Sequence, residues 1–252
     1  MPSPVVVEHS AVLELRQYTL HPGRRDELIA LFEREFVETQ EAVGIRLIAT
    51  FRDLDEPDRF VWIRGFPDMA ARPDALGAFY GGPDWKAHRD AANATMVDSD
   101  DVLLLRPLVC DQGLQAALQP RPPADAAPPA GGVFTITLCP LHEPATDALV
   151  HAFDQFVHPW WVGVGGDLLA CWVTEPAANN FPRLPVREGE PHLAWITRFD
   201  DEVAQRRHAA LLQASGCLDG PEWRAFLSGE VTQLRLAPTP RSALRRRHPL
   251  ES

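Results

Sequence analysis

The chain contains the same pattern twice. Gly82-Pro83-Asp84-Trp85-Lys86-Ala87-His88 returns as Gly220-Pro221-Glu222-Trp223-Arg224-Ala225-Phe226, and Val61-Trp62-Ile63-Arg64-Gly65-Phe66 returns as Ala194-Trp195-Ile196-Thr197-Arg198-Phe199. Upstream, Val12 to Leu20 aligns with Val133 to Leu141 at an offset of 121, and Gly44 to Ala49 aligns with Gly166 to Cys171 at 122. The offset then grows to 133 at Trp62 and 138 at Trp85, so segments were inserted while element order was kept. A duplication of this kind excludes folds without internal repetition, and a chain of 252 residues holds two units of ordinary domain size.

Each unit reads as β-α-β-β-α-β. Residues 12–20 alternate Leu13, Leu15 and Gln17 against Glu14, Arg16 and Tyr18, the period of a strand. An amphipathic helix follows His21-Pro22-Gly23, with Leu28, Leu31, Phe32, Phe36 and Val43 inward, Glu27, Glu33, Arg34 and Glu38 outward, and Gly44 closing it. Strands are expected over residues 45–52 and 60–66. A broken helical region spans 73–94, restarted by Pro83 at a first-turn position with Asp84 favourable to the helix dipole, and a strand covers 102–106. The second unit repeats this with strands at 133–138, 168–174, 192–199 and 231–236 and helices at 145–158 and 202–214. There Leu149, Phe153, Phe156 and Val157 point inward.

This is the ferredoxin-like order, so the fold class is α+β with two tandem units. The divisions are an extension at 1–11, the first unit at 12–107, a Pro/Ala-rich linker at 108–132, the second unit at 133–238 and a basic tail at 239–252. The linker, with Pro120, Pro122, Pro123, Pro128 and Pro129, has semi-extended polyproline character, and the tail cluster Arg241, Arg245, Arg246, Arg247 and His248 reads as a solvated, disordered end. A ferredoxin-like sheet carries both helices on one face, so the other face needs a cover. The two sheets are expected to face each other as an internal pseudo-dimer completed within one chain. In that arrangement Leu13, Leu15, Val61 and Ile63 point to the helices, while Arg16, Tyr18, Trp62, Arg64, Trp195 and Thr197 line a cavity between the sheets. Further homo-oligomerisation through the outer helices is compatible with it.

Net charge and cysteine use narrow the partners. A formal charge of −11 argues against nucleic acid or an anionic membrane surface, both of which require a cationic face. Cys110, Cys139, Cys171 and Cys217 form no Cys-x-x-Cys pair, which disfavours a zinc site or disulfide framework and fits a reducing cytoplasm. No stretch approaches a membrane span, and Met1 to Ser10 lacks the features of an export signal. Gly163-Val164-Gly165-Gly166 follows a helix instead of a strand, the wrong context for a dinucleotide loop.

Residue chemistry points to a small-molecule ligand. Arg16 and Arg64 offer forked donors, and Tyr18, Trp62, Trp85 and Trp195 offer flat walls. His88 is a candidate acid or base, with Asn93 beside it, on a helix followed by polar residues 94–100 that the second unit lacks. The insertion at 175–190 carries Phe181 and Arg183, and its segment 180–187 is expected either to close over the barrel mouth or to remain a surface excursion. Asp147, His151, Asp154 and His158 share a helix face opposite Leu149 and Phe153 and read as solvated charge, so no metal is assigned.

Glu14-Leu15-Arg16-Gln17-Tyr18-Thr19-Leu20-His21-Pro22-Gly23, the Trp62 strand and the Gly-Pro-Asp/Glu-Trp helix starts together resemble the NIPSNAP family, within the dimeric α/β-barrel superfamily. The resemblance covers nearly all of 12–107 and, more loosely, 133–238. It implies a barrel with a cavity. Fold-level relatives include cofactor-free monooxygenases, polyketide cyclases, muconolactone isomerases and haem proteins, and fold analogy does not choose among them. Phe134-Thr135-Ile136-Thr137-Leu138 lacks the motif's Glu, Arg and Tyr, so a site is expected to be asymmetric between the halves. The functional expectation is a cofactor-independent enzyme for a hydrophobic or aromatic metabolite, with catalytic His88, Arg16 and Tyr18 and substrate contacts from Trp62, Arg64, Trp85, Asn93, Trp195, Phe181 and Arg183. No cofactor is assigned. The alternative is a non-catalytic ligand-binding or protein-interaction module.

Overall fold

The structure is a computed structural model, and it describes residues 10–108, 112–123 and 132–246. Cys110, Pro128, Pro129, Arg247, His248 and the start of the chain, residues 1–9, lie outside the described residues.

The first half runs β1 (Val12–Leu20), α1 (Arg25–Leu31), a π-helical turn (Phe32–Phe36), α2 (Val37–Glu41), β2 (Arg46–Asp53), β3 (Arg59–Phe66), α3 (Ala71–Gly81), α4 (Pro83–Asn93) and β4 (Met96–Pro107). A short α5 (Gln112–Ala117) follows. The second half repeats the order with β5 (Val133–Pro140), α6 (Asp147–Ala152), a π-helical turn (Phe153–Val157), α7 (His158–Gly163), β6 (Asp167–Thr174), β7 (His192–Phe199), α8 (Glu202–Ser215), α9 (Pro221–Arg224) and β8 (Thr232–Pro238). The duplication reaches local detail. Both π turns fall at the same offset, and Gly44 and Gly165 end the corresponding helical runs at φ +87° and +88°, a conformation glycine adopts without penalty.

Eight antiparallel strands close into one barrel in the order β1-β3-β2-β8-β5-β7-β6-β4. Each seam between the halves is short, Phe51–Asp53 against Leu236–Pro238 and Leu105–Pro107 against Trp172–Thr174, whereas β1 and β3 pair from Val12↔Phe66 to Thr19↔Arg59. One chain thus closes its own barrel.

The facing of the strands is the reverse of the sequence expectation. Leu13, Leu15, Val61, Ile63, Leu103 and Leu105 pack with Phe134, Ile136, Ala194, Ile196 and Leu236 in one cluster shared by both halves, the barrel interior. Tyr18, Trp62 and Leu104 pack with Leu28, Phe32, Phe36, Leu76 and Phe79 under the first-half helices. The cause is steric and dielectric. An eight-stranded barrel is just wide enough for side chains to fill, so aliphatic groups interdigitate there and nothing supplies acceptors for a guanidinium. The wider sheet–helix layer admits Arg, Tyr and Trp, and its edges provide amide and carbonyl oxygens.

Three further expectations are corrected. Part of the linker is helical: α5 places Leu114 and Ala117 in the barrel core, and a bridge joins Leu118 to Leu244. The tail is docked, with Thr239, Arg241, Ser242 and Leu244 buried and Glu33 Oε1 accepting from Thr239 Oγ1 at 2.5 Å and from the Arg241 amide at 2.8 Å. Glu33 is therefore inward, and Phe156 is 43 % exposed, because each lies in a π turn that displaces the 3.6-residue period. Among the described residues no helix is long and apolar enough to cross a membrane.

Candidate functional site

Alternation along β1 puts Glu14, Arg16 and Tyr18 on the helix side, and the antiparallel register sets Glu14 opposite Arg64 and Arg16 opposite Trp62 on β3. The Glu14 carboxylate becomes the hub of three guanidiniums. Arg16 Nη1 donates to Oε2 at 2.7 Å and Arg64 Nε to the same oxygen at 2.8 Å. Arg72 Nε, from α3, donates to Oε1 at 2.8 Å. Arg64 Nη2 and Arg72 Nη2 also stand 2.7 Å from the carboxylate as ion pairs, though not aligned as hydrogen bonds. All four side chains are at most 1 % exposed.

Neutral groups take the remaining donors. Arg16 Nε donates to Tyr18 Oη at 3.0 Å and Nη2 to the Ser99 carbonyl at 3.4 Å. Arg64 Nη1 donates to Gln40 Oε1 at 3.1 Å and Tyr80 Oη at 3.4 Å, and Arg72 Nη1 to Asn179 Oδ1 at 3.0 Å and Asn180 Oδ1 at 2.9 Å. Aromatic faces line the cluster: the Arg16 and Arg64 guanidinium carbons lie 5.5 and 5.1 Å from the Trp62 ring centre, and Arg72 lies 5.9 Å from Phe66. The indole Nε1 of Trp62, itself 2 % exposed, has no acceptor among the described residues. Burial alone would raise the Glu14 pKa, but the charges of Arg64, Arg16 and Arg72 prevail and hold it well below the usual carboxylate range. Burial pushes the Tyr18 phenol up despite Arg16.

Residues 13–110 match the profile of the NIPSNAP family. The first half is a NIPSNAP domain. No curated protein matches the chain. Among solved structures it is similar to a candidate monooxygenase from Lactobacillus acidophilus NCFM, at 13 % identity and TM-score 0.53 over 92 % of this chain and 97 % of that one. An anthrone oxidase-like protein aligns at 12 % identity and TM-score 0.55 over 94 % of both chains. A NIPSNAP-like domain protein from Burkholderia xenovorans is 27 % identical, covering 40 % of this chain and 88 % of that one at TM-score 0.36. The two full-length alignments establish a shared barrel fold.

Within the NIPSNAP domain the sequence-selected residues separate into two groups. Arg16, Tyr18, Trp62 and Arg64 are brought together, in the sheet–helix layer instead of a barrel cavity, and Trp85 packs at that layer's edge against Phe36, Phe79 and Tyr80. His88 is apart from the guanidiniums, its Nε2 3.4 Å from Glu35 on the outer helix surface, and Asn93 and Arg183 are exposed. Trp195 belongs to the second half's own core. Residues 96–100 extend β4, from which Ser99 meets Arg16. Glu14 was not selected either, although it shares the strand face of Arg16 and Tyr18, and Arg72, Gln40, Tyr80, Asn179 and Asn180 escaped sequence reasoning because only the tertiary fold joins them to it. The insertion reaches over the NIPSNAP domain's sheet–helix layer: Asn180 Nδ2 donates to the Met69 carbonyl at 2.5 Å, and Phe181 stacks on Tyr80 at 6.4 Å. Where the insertion leaves the barrel, a cleft of about 450 Å³ opens, walled by Leu104, Thr174, Glu175, Val186, Arg187 and Glu190. Leu104 is the β4 partner of Glu14.

The second half has Thr135, Thr137, Cys139, Trp195 and Thr197 where the NIPSNAP domain has Glu14, Arg16, Tyr18, Trp62 and Arg64. Trp161 helps fill that layer, donating from Nε1 to Thr197 Oγ1 at 2.7 Å and packing edge-on against Trp195, which meets Phe153 and, through it, Trp223. Burial pushes the Cys171 thiol up to about 12, and no charged hub replaces Glu14. Asp147, His151 and Asp154 are exposed, and among the described residues no three His, Cys, Asp or Glu side chains gather to hold a metal.

Proposed function

We propose that the protein binds a flat, largely apolar organic molecule in the sheet–helix layer of its first half and acts on it there without a bound cofactor. In this reading the chain is two tandem ferredoxin-like units, 12–107 and 133–238, of which the second completes the barrel and roofs the site of the first. A single comparison within the molecule carries the proposal. The same fold stands in the second half with neutral residues at the matching strand positions, so the Glu14–Arg16–Arg64–Arg72 cluster is not a requirement of the architecture.

The chemistry it supports is electrostatic. Preorganised guanidiniums in a dry layer stabilise negative charge that develops on a substrate oxygen or carbon, and a donor set of this kind contributes roughly 10²–10³-fold in rate. Tyr18, held protonated, supplies a hydroxyl beside Arg16. The names of the fold neighbours put oxygenation first among oxygenation, cyclisation and isomerisation. Binding without turnover is the second reading, favoured because Glu14 is held ionised and Tyr18 protonated, so neither exchanges a proton near neutrality. A cytoplasmic setting is proposed with both, consistent with the buried free thiols Cys139, Cys171 and Cys217.

Anthrone under air, followed by oxygen uptake and by tryptophan fluorescence, tests the reading. Binding with oxygen consumption, lowered at least tenfold in Arg16→Gln and Tyr18→Phe, is the expected result. Binding without consumption selects the second reading, and failure of anthrone and other tricyclic arenes to bind removes both.

A further inference from the structure

We infer that the ligand of this site carries a planar oxyanion, a carboxylate, enolate or phenolate on an unsaturated frame. The inference rests on the proposed placement of the ligand in the first-half layer and adds its charge. Three buried guanidiniums face one buried carboxylate, and the other groups they touch, Tyr18, Tyr80, Gln40, the Ser99 carbonyl, Asn179 and Asn180, are neutral. Uncompensated charge out of water is among the most unfavourable arrangements a fold can hold, and it is relieved by a counter-charge inside the same layer. The excess is local. The chain as a whole is at −11, and the second half keeps the corresponding layer uncharged.

The donors suit an oxyanion more than a compact point charge. Guanidinium forks present paired N–H groups to two oxygens in a plane. Trp62 Nε1 adds a buried donor with no acceptor, beside the guanidiniums of Arg16 and Arg64. The Asn179 and Asn180 amide oxygens, 3.0 and 2.9 Å from Arg72 Nη1, mark where a ligand's oxygens fit. They come from the insertion, so the second half closes the first half's site with neutral acceptors that an anion can displace. The cleft beside the insertion has the size of a small-ligand pocket and counts among its walls Leu104, the β4 neighbour of Glu14 in the sheet.

The test uses the full chain at low ionic strength, titrated calorimetrically with 1-naphthoate, 1-naphthamide and inorganic phosphate while the Trp62 indole N–H is followed by NMR, assigned with Trp62→Phe. Naphthoate is expected to bind one per chain, at least tenfold tighter than naphthamide, to shift the Trp62 signal and to weaken with salt. Arg72→Gln should lose at least tenfold in affinity, and Arg72→Lys should recover part of it. Asn180→Asp brings a fixed carboxylate to Arg72 and should raise Tm while abolishing naphthoate binding, an outcome that misfolding does not produce. Equal binding of naphthoate and naphthamide with the Trp62 shift overturns the anion inference and leaves the proposed site standing. Phosphate binding without naphthoate binding overturns the organic class. No Trp62 shift with any arene at millimolar concentration overturns the site as well.

Discussion

Glu14 holds the site together, because each of its neighbours repels the other two without it. Glu14→Gln leaves three buried guanidiniums facing a neutral amide and should cost about 3–5 kcal/mol in urea unfolding, the range for a buried ion pair broken on one side. The pH dependence has a definite sign. The folded-state pKa of Glu14 is depressed below an unfolded value of about 4.3, so its stabilising contribution is complete above that pH and is lost as pH falls toward the folded value. The stability gap between the natural chain and Glu14→Gln should be flat from pH 8 to 5, narrow below about 4 and persist in part at the lowest pH where both still fold. A gap that narrows toward alkaline pH would contradict the assignment. Alternation on β1 and β3 made Arg16, Tyr18, Trp62 and Arg64 readable as one group, with Glu14 on the same β1 face but not singled out, and it wrongly joined Trp195 and Thr197 of the second half to them. Their partners were unreadable, since Arg72 sits on a helix and Asn179 and Asn180 in an insertion more than a hundred residues from Glu14.

Strand periods survived folding well: residues 12–20 and 192–199 are strands with those bounds, and α4 starts at Pro83. Helical periods failed where the helix is not α. A π turn adds a residue without a full α-helical advance, which turns Glu33 inward to the tail and leaves Phe156 outward. The linker and tail failed as composition arguments, because proline, alanine and arginine content says nothing of what two leucines meet. Leu114 on α5 and Leu244 in the tail are fully buried in the barrel core, so Leu114→Ala should cost about 2–5 kcal/mol in thermal or urea unfolding. At Gly113 an added Cβ would stand 2.7 Å from the Leu169 carbonyl oxygen, a backbone atom that cannot step aside, so Gly113→Ala should lift α5 off β6 and lower Tm. Truncation after Pro238 removes Leu244 together with the Arg241 contacts to Glu33 and Glu38, and it should destabilise the barrel by a comparable amount.

On the scale of the whole molecule the barrel joins the halves more strongly than the count of seam hydrogen bonds suggests, because its interior is one apolar cluster drawn from both. Each half alone would expose that face to water. Fragments 1–123 and 132–252 should therefore associate one to one when mixed at micromolar concentration, with a gain in cooperative unfolding measured by circular dichroism; two stable monomers that ignore each other would refute the shared core. The duplication, the strand sequence, the restarted helices and the charged character of one half relative to the other were determined by the sequence alone, since they depend on local period and on comparison of the chain with itself. Which face of each sheet turns inward was decided by tertiary structure. Alternation divides a strand into two faces but does not say which is drier, and only closure of eight strands made the aliphatic face the interior and left the guanidiniums to the layer where Gln40, Asn179 and Asn180 could meet them.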